Sequence, residues 1–238
     1  DYIYLSSGTW SLLGVEIEKP DVSQGSLAVG MTNEGGVGDK IRFLKNIVGL
    51  WLVQECRRAW ERVGLQYTYD ELTQMASKAR PFGPLIIPDD SRFSVPNDMP
   101  AAIQSFCIDT GQSIPHDRGA IIRCILESLA LEYRWVSEQI ERLRGVYYPL
   151  FHIIGGGAKN KLLNQFVADA TGKTIIAGPV EATALGNILV QAIAMGDIAS
   201  LTEGRAIVGD SSELQTYVPT RSMAWDDAYE RYLELKVR

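Results

Sequence analysis

The chain has 238 residues, of which 46% are apolar and 22% charged, values that suit a globular protein with a sizeable core. Its formal net charge of −6 argues against nucleic acid or an anionic membrane surface as the main partner. There is no apolar run of the roughly 18 residues that a membrane span needs, and three cysteines with two histidines are too few for a structural zinc site. With no leader-like segment at its start, we expect a cytoplasmic protein with reduced thiols.

The first part of the chain has the pattern of paired strands. Residues 2–6 and 9–17 are two β-like runs around Ser6-Ser-Gly-Thr9, which is a hairpin signal. A second pair of strands is predicted at residues 27–34 and 40–45. Because the chain starts within a strand and without a methionine, we expect it to be part of a longer protein.

Apolar residues at helical spacing dominate the middle of the chain. Either Thr68 or Asp70 is expected to cap one of these helices, and Gly145 is well suited to end the longest. The proline-rich residues 81–100 are predicted as an extended excursion from the main sheet. The predicted helices span residues 47–63, 69–80, 99–110 and 117–145.

After residue 145 the pattern changes to alternating strands and helices. Short apolar strands are predicted at residues 150–154 and 174–177, with helices after them at residues 159–171 and 181–195. This βαβα order indicates an α/β sheet with a parallel portion. Two further helices are predicted at residues 201–209 and 222–238.

The strongest local motif is a strand that leads into Gly155-Gly-Gly157 and then into a helix. Glycines let a ligand approach the backbone, and a helix N-terminus offers free N–H groups, a combination that suits a nucleotide. A merely tight turn explains the glycines equally well. The motif is neither a P-loop nor a dinucleotide fingerprint, because the required spacings are absent.

Two weaker motifs stand on either side of it in the sequence. The hairpin turn at Ser6–Thr9 has backbone N–H groups and hydroxyls that can hold phosphate, although most such turns are only turns. The helix at Glu181-Ala-Thr-Ala-Leu-Gly-Asn187 has small residues that favour close packing, and Glu181 suits its first turn.

In this order the segments resemble the C-terminal domain of the FGGY carbohydrate kinases, which share the ribonuclease H-like fold of actin-like ATPases. The resemblance runs nearly end to end and includes Arg123-Cys-Ile-Leu-Glu-Ser-Leu-Ala130 on the long helix. It implies one nucleotide-binding domain over residues 1–238, with a mixed five-stranded sheet flanked by helices and a helical and extended insertion. Strings that look like the rhamnulokinase subfamily lie at residues 4–12, 32–36, 44–51, 88–93, 163–165 and 177–183.

The resemblance implies an enzyme that phosphorylates the 1-hydroxyl of L-rhamnulose with MgATP in L-rhamnose catabolism, with Mg²⁺ held mainly through the phosphates. Thr9, beside Gly8, matches a threonine at the ATP phosphates, and Gln54 matches another ATP contact. Asn46 matches a residue of the sugar site. The remaining positions implied are Gly155, Gly156, Gly157 and Asn160 at the nucleotide, and Asn33 and Glu34 towards the cleft.

Such a kinase also needs an aspartate as general base for the sugar hydroxyl. In the family this residue and the first phosphate loop belong to an N-terminal sugar-binding domain, and neither is found in this sequence. Asp89, Asp90 and Asp169 are expected to be turn and surface residues. The resemblance therefore predicts that this chain alone is catalytically inactive and that its partner is that N-terminal domain.

Three alternatives stay open. The first is a kinase of the same family for another sugar, such as a fuculokinase, a xylulokinase or an autoinducer kinase. The second is a non-catalytic actin-like module that binds nucleotide. The third concerns Cys107 and Cys124, which lie on helices joined by a turn-rich segment and could form a disulfide.

Overall fold

A single mixed sheet forms the centre of the computed structural model, which describes residues 2–220 and 222–237. Its strands are β1 (Ile3–Ser7), β2 (Trp10–Ile17), β3 (Thr32–Gly35), β4 (Ile41–Val48), β5 (Leu150–Ile154), β6 (Thr174–Ala177) and β7 (Gln215–Tyr217). Within the described residues these seven strands lie in the order β3-β4-β2-β1-β5-β6-β7.

The direction of each strand follows from how it is connected. β1 and β2 are joined by a tight turn and pair antiparallel, as β4 does with both β2 and β3. β5 runs parallel to β1 on one side and to β6 on the other, since helices connect these strands. β7 extends that edge antiparallel to β6.

Helices surround this sheet, and most begin at a side chain that accepts a hydrogen bond from the first turn, as Thr68, Asp98 and Asp117 do. Two 3₁₀ turns, Ser91–Phe93 and Gly156–Lys159, supplement them. The helices of the described residues are α1 (Gln24–Val29), α2 (Trp51–Arg62), α3 (Tyr69–Lys78), α4 (Met99–Asp109), α5 (Arg118–Arg144), α6 (Lys161–Thr171), α7 (Ala182–Met195), α8 (Leu201–Ser211) and α9 (Met223–Val237). Among them, none combines the length and the apolar character that crossing a bilayer would require.

Helix α5 is the centre of the core. Its 27 residues pack against β2, α3 and α6, and most of its apolar side chains are buried. The hydroxyl of Tyr133 lies 2.6 Å from the Oγ of Ser11 on β2, which ties the helix to the sheet. Burial raises the pKa of Tyr133, so this contact involves a neutral phenol.

The last helix, α9, is fixed to α5 by a buried carboxylate. Glu132 is fully buried, and its Oε2 accepts hydrogen bonds from the Tyr232 hydroxyl and the Lys236 Nζ, both at 2.5 Å. Burial raises the pKa of Glu132, although the ammonium group of Lys236 acts in the opposite direction.

The structure corrects the sequence prediction at three places. The mixed sheet has seven strands where five were expected. In the predicted strand at residues 27–34, residues 27–29 instead form the end of helix α1, which Ser23 caps, and a strand forms only at residues 32–35. Strand β7 falls where no strand was predicted. These are short elements at or beside the sheet edges, where few contacts fix the pattern.

The structure also shows the conformation of the proline-rich segment and the state of two cysteines. Residues 81–90 form no regular element, and Leu85 and Ile86 are buried in the core. Cys107 and Cys124 are free, buried thiols, so the disulfide that the sequence left open is not formed. A hydrogen bond from Cys124 lowers the pKa of Cys107.

Candidate functional site

The turn between β1 and β2 is held against the start of helix α2. The carbonyl oxygen of Gly8 accepts a hydrogen bond from the Leu50 N–H, and that of Thr9 accepts one from the Trp51 N–H, each at 3.0 Å. The antiparallel pairing of β2 with β4 delivers α2 to this position, because Trp10 lies opposite Val48. The hairpin and the helix therefore form one rigid corner.

A side-chain contact strengthens this corner. The Nε2 of Gln54, one turn into α2, donates a hydrogen bond to the Oγ1 of Thr9 at 2.9 Å. The two residues are 45 positions apart in the chain, so the sheet and not local sequence brings them together. The contact fixes the orientation of the Thr9 hydroxyl, which is partly buried.

The glycine turn lies beside the hairpin because β5 pairs with β1 in parallel, with Ile154 opposite Ser6. Gly155 has φ of +84°, a conformation that favours glycine, and the chain then enters the 3₁₀ turn. The first N–H groups of such a turn have no partner within it. Asn160 ends the turn and caps α6, since its Oδ1 accepts a hydrogen bond from the Leu163 N–H at 3.0 Å.

These segments enclose a cavity of about 580 Å³, within the usual size range of small-molecule pockets. One part of its wall is polar and backbone-rich, and another part is apolar. The predicted site residues on the wall are Gly8, Thr9, Gln54, Gly156, Gly157 and Asn160. The apolar part consists of Leu50, Val53, Ile122 and Leu126.

Two predicted positions lie off this wall. Gly155 does not line the cavity, and a Cβ atom there would lie 2.9 Å from the Ser7 carbonyl oxygen. Asn46 is exposed on β4, opposite Leu12 in the neighbouring strand. The structure therefore brings together six of the predicted positions and leaves Asn46 apart from them.

The two residues expected near the cleft are also apart from the cavity. Asn33 lies on β3, where its Oδ1 accepts a hydrogen bond from the Asp21 N–H at 2.9 Å. Glu34, on the same strand, pairs with Arg42 of β4. Both side chains have partners at this edge of the sheet.

Sequence reasoning missed the start of helix α3, which forms another wall of the cavity. Thr68, Tyr69, Asp70 and Thr73 line it there. A capping box between Thr68 and Glu71 fixes this helix start, and it was visible in the sequence only as a capping signal. Lys159, also unpredicted, lines the cavity near Asn160.

The chemistry of the cavity is that of a binding site. It offers N–H groups, hydroxyls and amides, one lysine and one carboxylate. Burial lowers the pKa of His152 on β5, and its Nε2 lies 2.8 Å from the Gly178 carbonyl oxygen, outside the cavity wall. In residues 2–220 and 222–237, no group of three or more His, Cys, Asp or Glu side chains could hold a metal ion.

Comparison of the sequence with known proteins points to one family. Residues 3–195 match the family model described as "FGGY family of carbohydrate kinases, C-terminal domain". A rhamnulokinase of Bacteroides thetaiotaomicron is 47% identical over 229 residues, which cover 96% of this chain and 46% of that protein. One of Bacillus subtilis is 40% identical over 218 residues, which cover 92% and 44%. The chain thus spans about half the length of the curated relatives it matches.

Solved structures agree on the fold. A ligand-bound xylulose kinase from Lactobacillus acidophilus superposes with a TM-score of 0.71 at 13% identity, over 99% of this chain and 47% of that one. A glycerol kinase from Plasmodium falciparum with ADP gives 0.65 at 18% identity, over 97% and 47%. At such identities the likeness establishes the fold alone, and it confirms the predicted actin-like architecture.

Proposed function

Since the chain belongs to the FGGY family of carbohydrate kinases, we propose that it is the ATP-binding half of a rhamnulokinase. The observation that carries this proposal is the cavity in which the hairpin at Thr9, the amide of Gln54 and the glycine turn meet. Relatives named rhamnulokinase, 40% and 47% identical over nearly the whole chain, support the choice of sugar.

The two parts of the cavity wall suit the two ends of ATP. Backbone N–H groups and the Thr9 hydroxyl favour the phosphates, which need strong hydrogen-bond donors. The apolar surface of Leu50, Val53, Ile122 and Leu126 suits the face of a nucleobase. Asn160 lies beside the adenine or ribose, and Gly156 allows the backbone to approach the ligand closely.

The family implies a divalent metal ion with ATP, and we propose Mg²⁺. In this proposal the ion is held mainly through the phosphates of the nucleotide. When bound, Mg²⁺ neutralises charge on the phosphates during transfer. The present chain positions the nucleotide, and the nucleotide carries the ion.

The sugar and the proton transfer belong mostly to the other half of the kinase. We propose that Asn46 contacts the sugar, and that the general-base aspartate lies in an N-terminal domain that packs across the cleft. The chain alone is then unable to transfer a phosphoryl group. A cytoplasmic location, where ATP is abundant, fits this role.

The test is ADP formation with L-rhamnulose, L-fuculose and D-xylulose as acceptors. It is run on this chain alone and on a kinase in which this chain is joined to the N-terminal half of a rhamnulokinase. We expect turnover only with the joined protein and fastest with L-rhamnulose. Robust turnover by the chain alone contradicts the division of roles, and a preference for another sugar contradicts the substrate. Nucleotide binding without turnover on any sugar favours a non-catalytic module.

A further inference from the structure

A second cavity lies on a different face of helix α5 from the first. Ile122 and Leu126 line the 580 Å³ cavity, whereas the residues that follow each of them, Arg123 and Glu127, line a cavity of about 350 Å³. The same two turns of one helix therefore form walls of both. The smaller cavity shares no lining residue with the larger one.

Cationic side chains converge on this second cavity from separate parts of the chain. Arg80 comes from the segment after α3, Arg123 from α5 and Arg231 from α9, and His116 adds an imidazole. Two carboxylates, those of Asp117 and Glu127, also line it. Three guanidinium groups against two carboxylates leave the cavity with an excess of positive charge.

Both carboxylates already have partners. The Glu127 side chain is buried, and it accepts hydrogen bonds from the Phe82 N–H at 3.0 Å and from the Arg123 Nε at 2.7 Å. Asp117 caps α5, with its Oδ1 accepting from the Ala120 N–H at 2.8 Å. Their negative charge is therefore compensated locally and opposes an incoming anion less than free carboxylates would.

Several cationic donors, by contrast, have no partner in the described part of the chain. Arg80 and His116 make no hydrogen bond or ion pair there. Arg231 uses its two Nη atoms on the carbonyl oxygens of Gly83 and Phe82, which leaves its Nε. Arg123 uses its Nε and Nη1, which leaves its Nη2. A guanidinium group carries five N–H donors in a planar fork. These arginines therefore keep donors that can bind a ligand.

We propose that this cavity binds a small phosphorylated ligand through its phosphate group, at a site separate from the nucleotide cavity. Guanidinium groups that keep free N–H donors match phosphate oxygens in both charge and geometry. Arg80 and Arg231 approach from two segments and make the principal contacts. A volume of about 350 Å³ admits a phosphate with a short organic group attached.

The test is calorimetric titration of the chain with inorganic phosphate and with methyl phosphate, at constant ionic strength. It is made in a Gly156→Val background, so that binding in the nucleotide cavity is suppressed. Arg80→Gln is the probe, because Arg80 is exposed and makes no hydrogen bond or ion pair in the described residues. Arg142→Gln is the matched control, since it removes the same charge from an exposed position near the far end of α5.

We expect Arg80→Gln to weaken the binding of both probes about tenfold, Arg231→Lys to weaken it less, and Arg142→Gln to leave it unchanged. Equal effects of Arg80→Gln and Arg142→Gln, or the absence of measurable phosphate binding, would overturn the proposal. This contrast does not depend on the proposed kinase function, because Arg80 lies outside the nucleotide cavity.

Discussion

Gly157 packs so closely against Ser7 that a Cβ atom on residue 157 would lie 1.9 Å from the Ser7 Oγ. A Cβ atom on the adjacent Gly156 would meet no atom within 4 Å. The two glycines thus have different tasks. Gly157 allows the glycine turn to pack on β1, whereas Gly156 keeps the cavity wall open.

The first prediction distinguishes the roles of Gly157 and Gly156 by the effect of substituting each on the free energy of unfolding. Gly157→Ala should lower the free energy of unfolding by about 1–3 kcal/mol, because the new methyl group overpacks a buried contact. Gly156→Ala should change it by no more than about 0.5 kcal/mol. Urea unfolding of the two variants measures both values. Equal stability of the two variants would show that the Ser7 contact does not constrain the turn.

The second prediction concerns the Thr9 hydroxyl, which Gln54 orients. Thr9→Val removes the hydroxyl at nearly constant shape, so ATP affinity should fall by about twofold to tenfold, the value of one hydrogen bond. Thr9→Ser keeps the hydroxyl and should bind ATP nearly as the natural chain does. Thr171→Val, the same change on α6 away from the cavity, serves as the control. If Thr9→Val and Thr171→Val bind ATP equally well, Thr9 has no role at the phosphates.

The third prediction is a pH dependence that originates at Glu132. Burial raises the pKa of this carboxyl above its ordinary value of 4.5, so the folded state binds its proton more tightly than the unfolded state. The stabilisation is complete below pH 4.5 and is lost as the pH rises through the folded-state pKa. Glu132→Gln cannot titrate at this position.

The measurement is the difference in free energy of unfolding between the natural chain and Glu132→Gln across this pH range. The natural chain should lose stability relative to the variant as the pH increases above 4.5. Tyr232→Phe, which removes one hydrogen bond to the carboxylate but leaves it titratable, should retain the pH dependence. A difference that is flat with pH would mean that Glu132 titrates normally in the folded protein.

Much of the site could be predicted from sequence because its main parts are local. The glycine turn follows directly from a strand that runs into three glycines and a helix. Asn160 and Thr68 occupy cap positions, and such positions have their own residue preferences. The family resemblance added Gln54, which no local pattern distinguishes from the rest of an amphipathic helix.

The rest of the cavity could not be predicted, for reasons that lie in tertiary packing. Ile122 and Leu126 have the spacing of ordinary core residues, and only the arrangement of α2, α3, α5 and the glycine turn leaves a space beside them. Asp70 reaches the cavity because α3 packs against α5, a contact between segments far apart in the chain. Helix α1 was missed because six residues carry too little periodicity to outweigh apparent strand character.

The claim that the cavity holds ATP is tested most directly by titrating ATP into the natural chain and into Gly156→Val. The valine side chain would project into the cavity without meeting other protein atoms at its Cβ, so it should exclude the ligand and leave the fold intact. We predict that ATP affinity falls at least about tenfold, or about 1.4 kcal/mol, with an unchanged melting temperature. An unchanged ATP affinity in Gly156→Val would contradict the account.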